Sequence, residues 1–318
     1  MSFARTTRAI PSAPISRKSS ATELGKGVLS KKIGIDLGTS SVTVYVKGEG
    51  IVLREPPADD RAGPTLQRVI GRVIGRQRIF RPDVMLSVPG AVTGVERRAV
   101  LEATMQAGAK SAYLIEKPLA AAIGAGIAIA STDGIAVCDL GASGAEAAVI
   151  VQGEMVTFAV IRAGGERLDQ AIVQAVAARH GVAIDRREGE RLKLELGRAL
   201  APERGRARVA QAKAAGGGEV SIDAAEVHAA LAPLLDELVR GLEEVIGLTP
   251  PAVAPALARN GLVLSGGAAQ LPDLDRFLGG RLRLPVVVAR NAQACVATGT
   301  GLALDNLQMI RRGQHYIT

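Results

Sequence analysis

Short apolar runs alternate with turn residues and amphipathic segments along most of the 318-residue chain. Apolar runs bounded by Gly, Pro, Asn, Asp or Ser are typical of buried strands, whereas apolar residues spaced three and four apart are typical of helices. The alternation of the two patterns predicts an α/β protein. Strands are predicted within 32–46 (two, around a glycine turn), 51–54, 83–89, 111–115, 137–151 (two), 156–162, 262–264 and 286–288, and helices at 66–74, 93–107, 118–128, 168–180, 185–197, 224–246, from 274 and at 292–304.

One strand–turn–strand pattern occurs twice. Residues 33–46 have the sequence IGIDLGTSSVTVYV, and residues 137–151 have the sequence VCDLGASGAEAAVIV. In both copies an apolar strand leads into Asp-Leu-Gly, at Asp36 and at Asp139, and a second apolar strand follows. Because further strands and helices are predicted after each copy, the repeat predicts two similar α/β halves.

Composition and charge narrow the class of protein. Apolar residues make up 47% of the chain but aromatic residues only 2%, so we expect a core of Ala, Val, Leu and Ile. No apolar run reaches the roughly 18–20 residues that cross a bilayer, and no apolar stretch of signal-peptide type begins the chain. We therefore expect a cytoplasmic protein.

The basic charge is concentrated at the start of the chain. Residues 1–32 carry seven Lys or Arg residues against the single acidic residue Glu23, in a protein of net charge +8. Together with the abundance of Ser, Thr, Ala and Pro, this predicts a disordered basic tail at 1–31. Such a tail either has no partner or contacts an anionic membrane surface or nucleic acid. Aromatic residues do not alternate with the charges, so base stacking is unsupported.

Three glycine-containing turns follow predicted strands. They begin at Asp36 (DLGTSS), Asp139 (DLGASG) and Ser265 (SGGA). Each alone indicates no more than a hairpin. Together they suggest two hairpins that hold a triphosphate from opposite sides and a third turn under the nucleoside, because small residues let backbone N–H groups reach phosphate oxygens. The aspartate that opens each hairpin can hold a hydrated Mg²⁺.

These turns occur with segments such as YLIEKPLAAAIGAG, IRAGGERLDQAIV and VATGTGLALDNL, and over about residues 32–312 the chain resembles the MreB-type bacterial actins. These actins belong to the actin, sugar-kinase and heat-shock-chaperone ATPase superfamily. The resemblance implies an α/β actin-like ATPase fold, with two ribonuclease-H-like lobes around a nucleotide cleft, and ATP or ADP and Mg²⁺ as cofactors. The implied division is lobe I at 32–131 plus 302–318, with a small subdomain reduced to about 56–81, and lobe II at 132–301, with a subdomain at about 181–235.

The resemblance also assigns roles to individual residues. Asp36 and Asp139 would serve the metal ion. The implied nucleotide contacts are the first phosphate turn (Gly38, Thr39, Ser40 and Ser41), the second (Gly141, Ala142, Ser143 and Gly144), a later glycine turn (Gly164, Gly165 and Glu166), the ribose and adenine side (Glu190 and Lys193) and the turn over the nucleoside (Gly266, Gly267 and Ala268).

Two departures from the family pattern concern the γ-phosphate end of the cleft. The second phosphate turn usually has the sequence Asp-Ile/Leu-Gly-Gly-Gly-Thr, but here Ala142 and Ser143 replace glycines and Gly144 replaces the threonine. The family's acidic residue that orients the attacking water is Lys117 here, and the side chain of its neighbour Glu116 is expected to point elsewhere. An ammonium accepts no hydrogen bond and so cannot orient the water in this way. We therefore expect nucleotide binding with at most slow ATP hydrolysis.

A third departure is the short segment between Pro56 and Arg81. MreB-type actins have a small subdomain of several strands and helices here, whereas this segment has room for a helix or a loop. Its end resembles the family's membrane-insertion loop, since Ile79 and Phe80 lie between arginines and suit an interface that is apolar at its tip and anionic around it. The alternative is a strand start that packs Phe80 inward.

The leading hypothesis is an ATP-binding bacterial actin whose main partner is itself. Repeated head-to-tail contacts that do not close into a ring would give a filament. Such a filament would act in cell shape or internal organisation. We expect it to lie at the inner face of the membrane as a peripheral protein, bound through the basic tail and the loop with Ile79 and Phe80. The alternatives are a DNA- or plasmid-positioning filament and a phosphotransferase of the same fold. No sequence-specific nucleic-acid contact is expected.

Overall fold

The computed structural model describes residues 31–59, 62–75, 81–203, 208–307 and 316–317. These residues form thirteen β-strands and nine α-helices. The strands are β1 (Lys32–Leu37), β2 (Val42–Val46), β3 (Gly50–Glu55), β4 (Asp83–Val88), β5 (Ser111–Glu116), β6 (Ile135–Leu140), β7 (Ala145–Val151), β8 (Glu154–Ile161), β9 (Val209–Lys213), β10 (Glu219–Asp223), β11 (Leu262–Ser265), β12 (Val286–Val288) and β13 (Tyr316–Ile317). The helices are α1 (Ala62–Ile74), α2 (Gly94–Gln106), α3 (Lys117–Gly124), α4 (Gly165–His180), α5 (Arg186–Leu196), α6 (Ala224–Gly247), α7 (Ala254–Asn260), α8 (Leu274–Leu282) and α9 (Cys295–Ala303).

Two large sheets have the same strand arrangement. The first has the order β13-β5-β4-β1-β2-β3 and the second the order β12-β11-β6-β7-β8, while β9 and β10 form a separate pair. In each large sheet three consecutive antiparallel strands form one side, and two strands parallel to the first of them extend the other. The first sheet has in addition the edge strand β13, which is antiparallel to β5. The hairpins that begin with the strands of Asp36 and Asp139 thus occupy equivalent places, and the predicted α/β fold with two similar halves is confirmed.

The predicted strands and helices are present, with shifted ends. Helix α2 begins where the sequence predicts, because Thr93 and Glu96 form a reciprocal capping box. The Thr93 side chain accepts from the backbone N–H of Glu96, and a carboxylate oxygen of Glu96 accepts from the backbone N–H of Thr93 at 2.8 Å. Helix α3 ends at Gly124, four residues earlier than expected, and a short 3₁₀ turn precedes α9.

Four elements were not predicted, namely β9, β10, β13 and α7. The strands of the β9–β10 hairpin have five residues each and are half exposed, so they have no continuous apolar run. Gly217 and Gly218 supply the positive φ angles of the connecting turn. Helix α7 is only seven residues long and contains a proline, so it is shorter than the window of about 11–18 residues in which helical periodicity is recognised.

Helices α3 and α9 pack together, and their apolar residues join the two sheets. One core cluster combines Met85 and Ile115 of the first sheet with Val137 and Ala148 of the second, together with residues of both helices. The two helix backbones come into direct contact because the facing residues are glycines. A methyl group on Gly299 would lie 1.8 Å from the carbonyl oxygen of residue 120, so no larger residue fits between the helices.

The segment between β3 and β4 is short, as predicted. Its described residues contain the helix α1 and no strand. The buried residues Leu66, Val69 and Ile70 of this helix belong to the core of the first sheet. The helix therefore covers that core. It occupies the segment in which the family's small subdomain was expected to be largely missing.

Several predictions concern residues that the structure does not describe or boundaries that it leaves untested. Ile79, Phe80 and residues 1–30 of the basic tail lie outside the described residues. The lobe boundaries at 131/132 and 301/302 stay predictions. No helix in the described ranges combines the length and the apolar character that crossing a membrane requires.

Candidate functional site

A cavity of about 980 Å³ is lined by turns that follow strands of both large sheets. Most residues that the sequence assigns to the nucleotide and the metal line this cavity, although they come from distant parts of the chain. Glu116 and Gly164 are the exceptions among them. The predicted residues in the lining are Asp36, Gly38, Thr39, Ser40, Ser41, Lys117, Asp139, Gly141, Ala142, Ser143, Gly144, Gly165, Glu166, Glu190, Lys193, Gly266, Gly267 and Ala268.

Gly164 lies behind the second phosphate turn and supports it. A methyl group on Gly164 would lie 2.3 Å from both the Ala142 carbonyl oxygen and the Gly144 backbone nitrogen. The backbone N–H of Gly165 donates to the Gly141 carbonyl oxygen at 3.0 Å. The turn is therefore held against the start of α4, and Gly164 permits this close approach.

The altered second phosphate turn is free of backbone strain. None of residues 141–144 has a positive φ angle, so the side chain of Ala142 suits its backbone conformation. The third turn is different, because Gly266 has a φ angle of +88°. A methyl group there would lie 2.3 Å from the Leu140 carbonyl oxygen. The substitution at 142 is thus tolerated, while position 266 requires glycine.

Asp36 and Asp139 lie at equivalent places in the two hairpins. The Ser87 hydroxyl donates to Asp36 Oδ1 at 2.7 Å, and the Ser265 hydroxyl donates to Asp139 Oδ1 at 2.8 Å. Ser87 is on β4 and Ser265 on β11, the strands that adjoin β1 and β6 in the same way. Each carboxylate is therefore oriented by a hydroxyl from the neighbouring parallel strand.

A third carboxylate, Glu146, faces the same cavity. It lies on β7 directly opposite Asp139 in the strand register. One of its carboxylate oxygens accepts a hydrogen bond from the backbone N–H of Gly90 at 2.9 Å. Because Gly90 follows β4 of the first sheet, this bond connects the two halves of the molecule.

Lys117 is the cation that faces these carboxylates. Its Nζ lies 3.6 Å from Asp36 Oδ1, and its side chain is 16% exposed. The negative charge of Asp36 raises the pKa of Lys117, against the effect of burial, and Asp139 and Glu146 raise it further. Lys117 is therefore positively charged at neutral pH. Burial raises the pKa of Asp139 to about 6, although the charge of Lys117 lowers it.

Glu116 is directed away from the cavity. Its Oε1 lies 3.0 Å from a guanidinium nitrogen of Arg97 on α2. The side chain therefore lies on the helix side of the strand end, as expected at a junction between β5 and α3. Although it adjoins Lys117, it does not replace the acidic residue of the family at the cavity.

The predicted ribose and adenine side carries two ion pairs. Lys193 Nζ lies 2.5 Å from Asp169 Oδ1 and donates to the Gly165 carbonyl oxygen at 3.2 Å. Glu166 pairs with Arg186 at 2.7 Å. Both pairs, together with Glu190, line the cavity. The pairs connect the start of α4 to α5, so they fix the two helices that border this side.

Sequence reasoning missed seven polar residues of the cavity lining: Arg54, Glu146, Arg162, Asp169, Arg186, Gln270 and Gln293. Glu146 is the single polar residue of the strand AEAAVIV, and an isolated carboxylate in such a strand is a usable signal of a functional position. Asp169 is similar, since it is buried on the apolar face of α4. Arg54 hydrogen-bonds Gln293 from a distant part of the chain, and their local sequences contain no such signal.

A divalent metal ion fits these side chains poorly. Among the described residues, no group of three or more His, Cys, Asp or Glu side chains is arranged to hold a metal. Mg²⁺ at phosphates needs only one or two carboxylates, so the surroundings of Asp36 decide the fit. Asp36 Oδ1 already accepts from Ser87 and lies beside the ammonium of Lys117. Since like charges repel, this ammonium opposes a second cation at the same carboxylate.

Comparisons with known proteins agree with this fold. Residues 60–312 match the family described as MreB/Mbl protein. The chain is 33% identical to the cell shape-determining protein MreB of Escherichia coli (strain K12), over 89% of this chain and 96% of that protein. It is 30% identical to the cell shape-determining protein Mbl of Bacillus subtilis (strain 168), over 89% and 98% of the two chains.

Solved structures show the same architecture. The crystal structure of MreB5 of Spiroplasma citri bound to ADP matches with a TM-score of 0.80 and 23% identity, over 89% of this chain and 99% of that one. The MamK double helical filament matches with a TM-score of 0.70 and 15% identity, over 86% and 98%. These matches confirm the actin-like ATPase fold. From the family match and the similarity to its curated relatives, the chain belongs to the MreB/Mbl family.

Proposed function

We propose that the protein is a nucleotide-binding bacterial actin that polymerises into cytoskeletal filaments, in cell shape or internal organisation. The observation that carries the proposal is the shared cavity, where both phosphate turns and the nucleoside turn meet. Relatives over most of the chain are cell shape-determining proteins. MreB5 of Spiroplasma citri was solved with ADP and with AMPPNP, and MamK as a double helical filament.

The chemistry of the two phosphate turns suits ATP or ADP. Thr39, Ser40 and Ser41 bring hydroxyl donors to the first turn, and the second turn has small residues throughout. Small side chains leave backbone N–H groups accessible to phosphate oxygens. In this arrangement the first turn binds phosphates through hydroxyl and backbone donors, and the second turn binds them through its backbone.

We infer that this protein hydrolyses ATP slowly or not at all. Lys117 stands where the family has its acidic residue, and Glu116 is held by Arg97 away from the cavity. A charged ammonium binds phosphate as a point charge but can accept neither a proton nor a hydrogen bond from the attacking water. Bound ATP would therefore persist.

Assembly tests the proposed function. At micromolar concentration with ATP, the protein is expected to sediment and to form filaments visible by electron microscopy. The same filaments are expected with a non-hydrolysable ATP analogue, because assembly does not depend on cleavage when hydrolysis is slow. Nucleotide-free protein is the control. Protein that binds nucleotide but stays monomeric under all these conditions would contradict the filament proposal.

We further propose that the protein associates peripherally with the cytoplasmic face of the membrane. This proposal rests on the sequence, through the basic residues of 1–31 and the apolar pair Ile79 and Phe80 between arginines. We expect co-sedimentation with anionic liposomes that weakens when residues 1–30 are removed or when Ile79 and Phe80 become serine. Neutral liposomes and duplex DNA are the controls. Stronger binding to DNA than to anionic liposomes would contradict membrane association and favour the DNA-positioning alternative.

The phosphotransferase and DNA-positioning alternatives are not favoured. The curated relatives that match nearly the whole chain are named for cell shape. In addition, a phosphotransferase needs a base for its acceptor hydroxyl, and Lys117 is a charged cation at the family's acidic position.

A further inference from the structure

Three carboxylates line the cavity beside the phosphate turns, namely Asp36, Asp139 and Glu146. Asp139 and Glu146 are directly opposite each other on β6 and β7, so their side chains share one face of the second sheet. Like charges in this arrangement repel each other. Bound phosphates would add further negative charge, so this end of the cavity requires a cation.

The chain itself supplies that cation. Lys117 Nζ lies 3.6 Å from Asp36 Oδ1, with the side chain largely buried. Its backbone is fixed because it is the first residue of α3, followed by the buried Pro118, and α3 is in close backbone contact with α9. The fixed backbone and the burial of the side chain therefore hold the ammonium beside the carboxylates in this structure.

Two other cations of the cavity lining form ion pairs, but not with the carboxylates beside the phosphate turns. Lys193 pairs with Asp169, and Arg186 pairs with Glu166. Both pairs belong to α4 and α5, on the predicted ribose and adenine side. Lys117 is thus the cation placed to neutralise the carboxylates of the phosphate side.

We propose that the ammonium of Lys117 takes over the charge-neutralising role of a divalent cation, so that the protein binds ATP and ADP without Mg²⁺. This inference rests on the proposed nucleotide-binding function. Mg²⁺ requires near-octahedral oxygen ligands at about 2.0–2.1 Å, which a fixed ammonium beside Asp36 opposes. A buried lysine instead bridges carboxylate and phosphate as a point charge, without dehydration of an incoming ion.

Nucleotide titration with and without metal tests this inference. Dissociation constants for ATP and ADP are measured by calorimetry on the full chain, in excess EDTA and in excess Mg²⁺. For the wild type we expect the dissociation constants in EDTA and in Mg²⁺ to differ by no more than about threefold. Such a difference is smaller than the tenfold change that corresponds to about 1.4 kcal/mol. For Lys117→Met we expect metal-free affinity to fall by at least about tenfold, with partial recovery in Mg²⁺.

Lys110→Met is the matched control, because Lys110 is an exposed lysine of the same half, outside the cavity. It should leave both affinities unchanged. Wild-type binding that is at least tenfold tighter in Mg²⁺ would overturn the inference while leaving nucleotide binding intact. Metal-independent binding that Lys117→Met does not weaken would overturn the assignment to Lys117. Absence of binding in both conditions would overturn the proposed function as well. If Lys117→Met fails to fold, the wild-type affinities in EDTA and in Mg²⁺ still show whether nucleotide binding requires the metal.

Discussion

Replacing Lys117 by glutamate is expected to raise ATP turnover in the presence of Mg²⁺ by at least about tenfold. A positioned acid–base group contributes roughly 10²–10⁴-fold, and we expect a value at or below the lower end because Ala142 and Gly144 still differ from the family's turn. Glutamate at 117 both removes the fixed ammonium and provides an oxygen that accepts a hydrogen bond from water. Phosphate release under single-turnover conditions measures the effect.

Lys117→Met is the control for this experiment. It removes the ammonium but provides no hydrogen-bond acceptor, so it should leave turnover near the wild-type level. Nucleotide affinity is measured in parallel, so that a change in binding is not mistaken for a change in chemistry. Rapid wild-type turnover that neither substitution alters would show that Lys117 does not limit hydrolysis.

Gly299→Ala is expected to lower the free energy of unfolding by about 3 kcal/mol or more. The added methyl group would lie 1.8 Å from the carbonyl oxygen of Ala120, and backbone atoms cannot move aside as a flexible side chain can. Helices α3 and α9 would have to separate, although apolar residues of both help to join the two sheets. Urea unfolding measured by circular dichroism gives the change.

Gly71→Ala is the matched control for this substitution. Gly71 lies on the exposed side of α1, and a methyl group there has no neighbour within 4 Å. Alanine is therefore expected to stabilise the protein there by about 0.5–1 kcal/mol through its higher helix propensity. A Gly299→Ala variant as stable as the wild type would show that α3 and α9 are not in the close contact described.

Much of the fold follows from local sequence patterns. The alternation of apolar strands and amphipathic helices predicts the α/β class, and the repeated Asp-Leu-Gly hairpin predicts the two similar sheets. The start of α2 could be placed to the residue because the capping box of Thr93 and Glu96 involves only neighbours in sequence. The β9–β10 pair could not be predicted, since its strands are short and half exposed.

The residues of the candidate site likewise include some that the sequence predicted and some that it did not. The phosphate turns were predictable because small residues and glycine after a strand leave backbone N–H groups accessible to phosphate oxygens. Lys117 was singled out through the family resemblance, by its position just before Pro118. Glu146 and Asp169 were missed, since their importance depends on which distant side chains face them.

The sequence by itself determined the α/β class, the repeated hairpins and the order of the turns, because spacing and backbone preference act over a few residues. Only the tertiary structure decided that Lys117 lies beside Asp36, that Glu146 stands opposite Asp139 and that Glu116 turns toward Arg97. Those contacts depend on how α3 and α9 pack the two sheets together. Charge interactions weaken with distance and strengthen with burial, so the chemistry of the cavity is set by that packing.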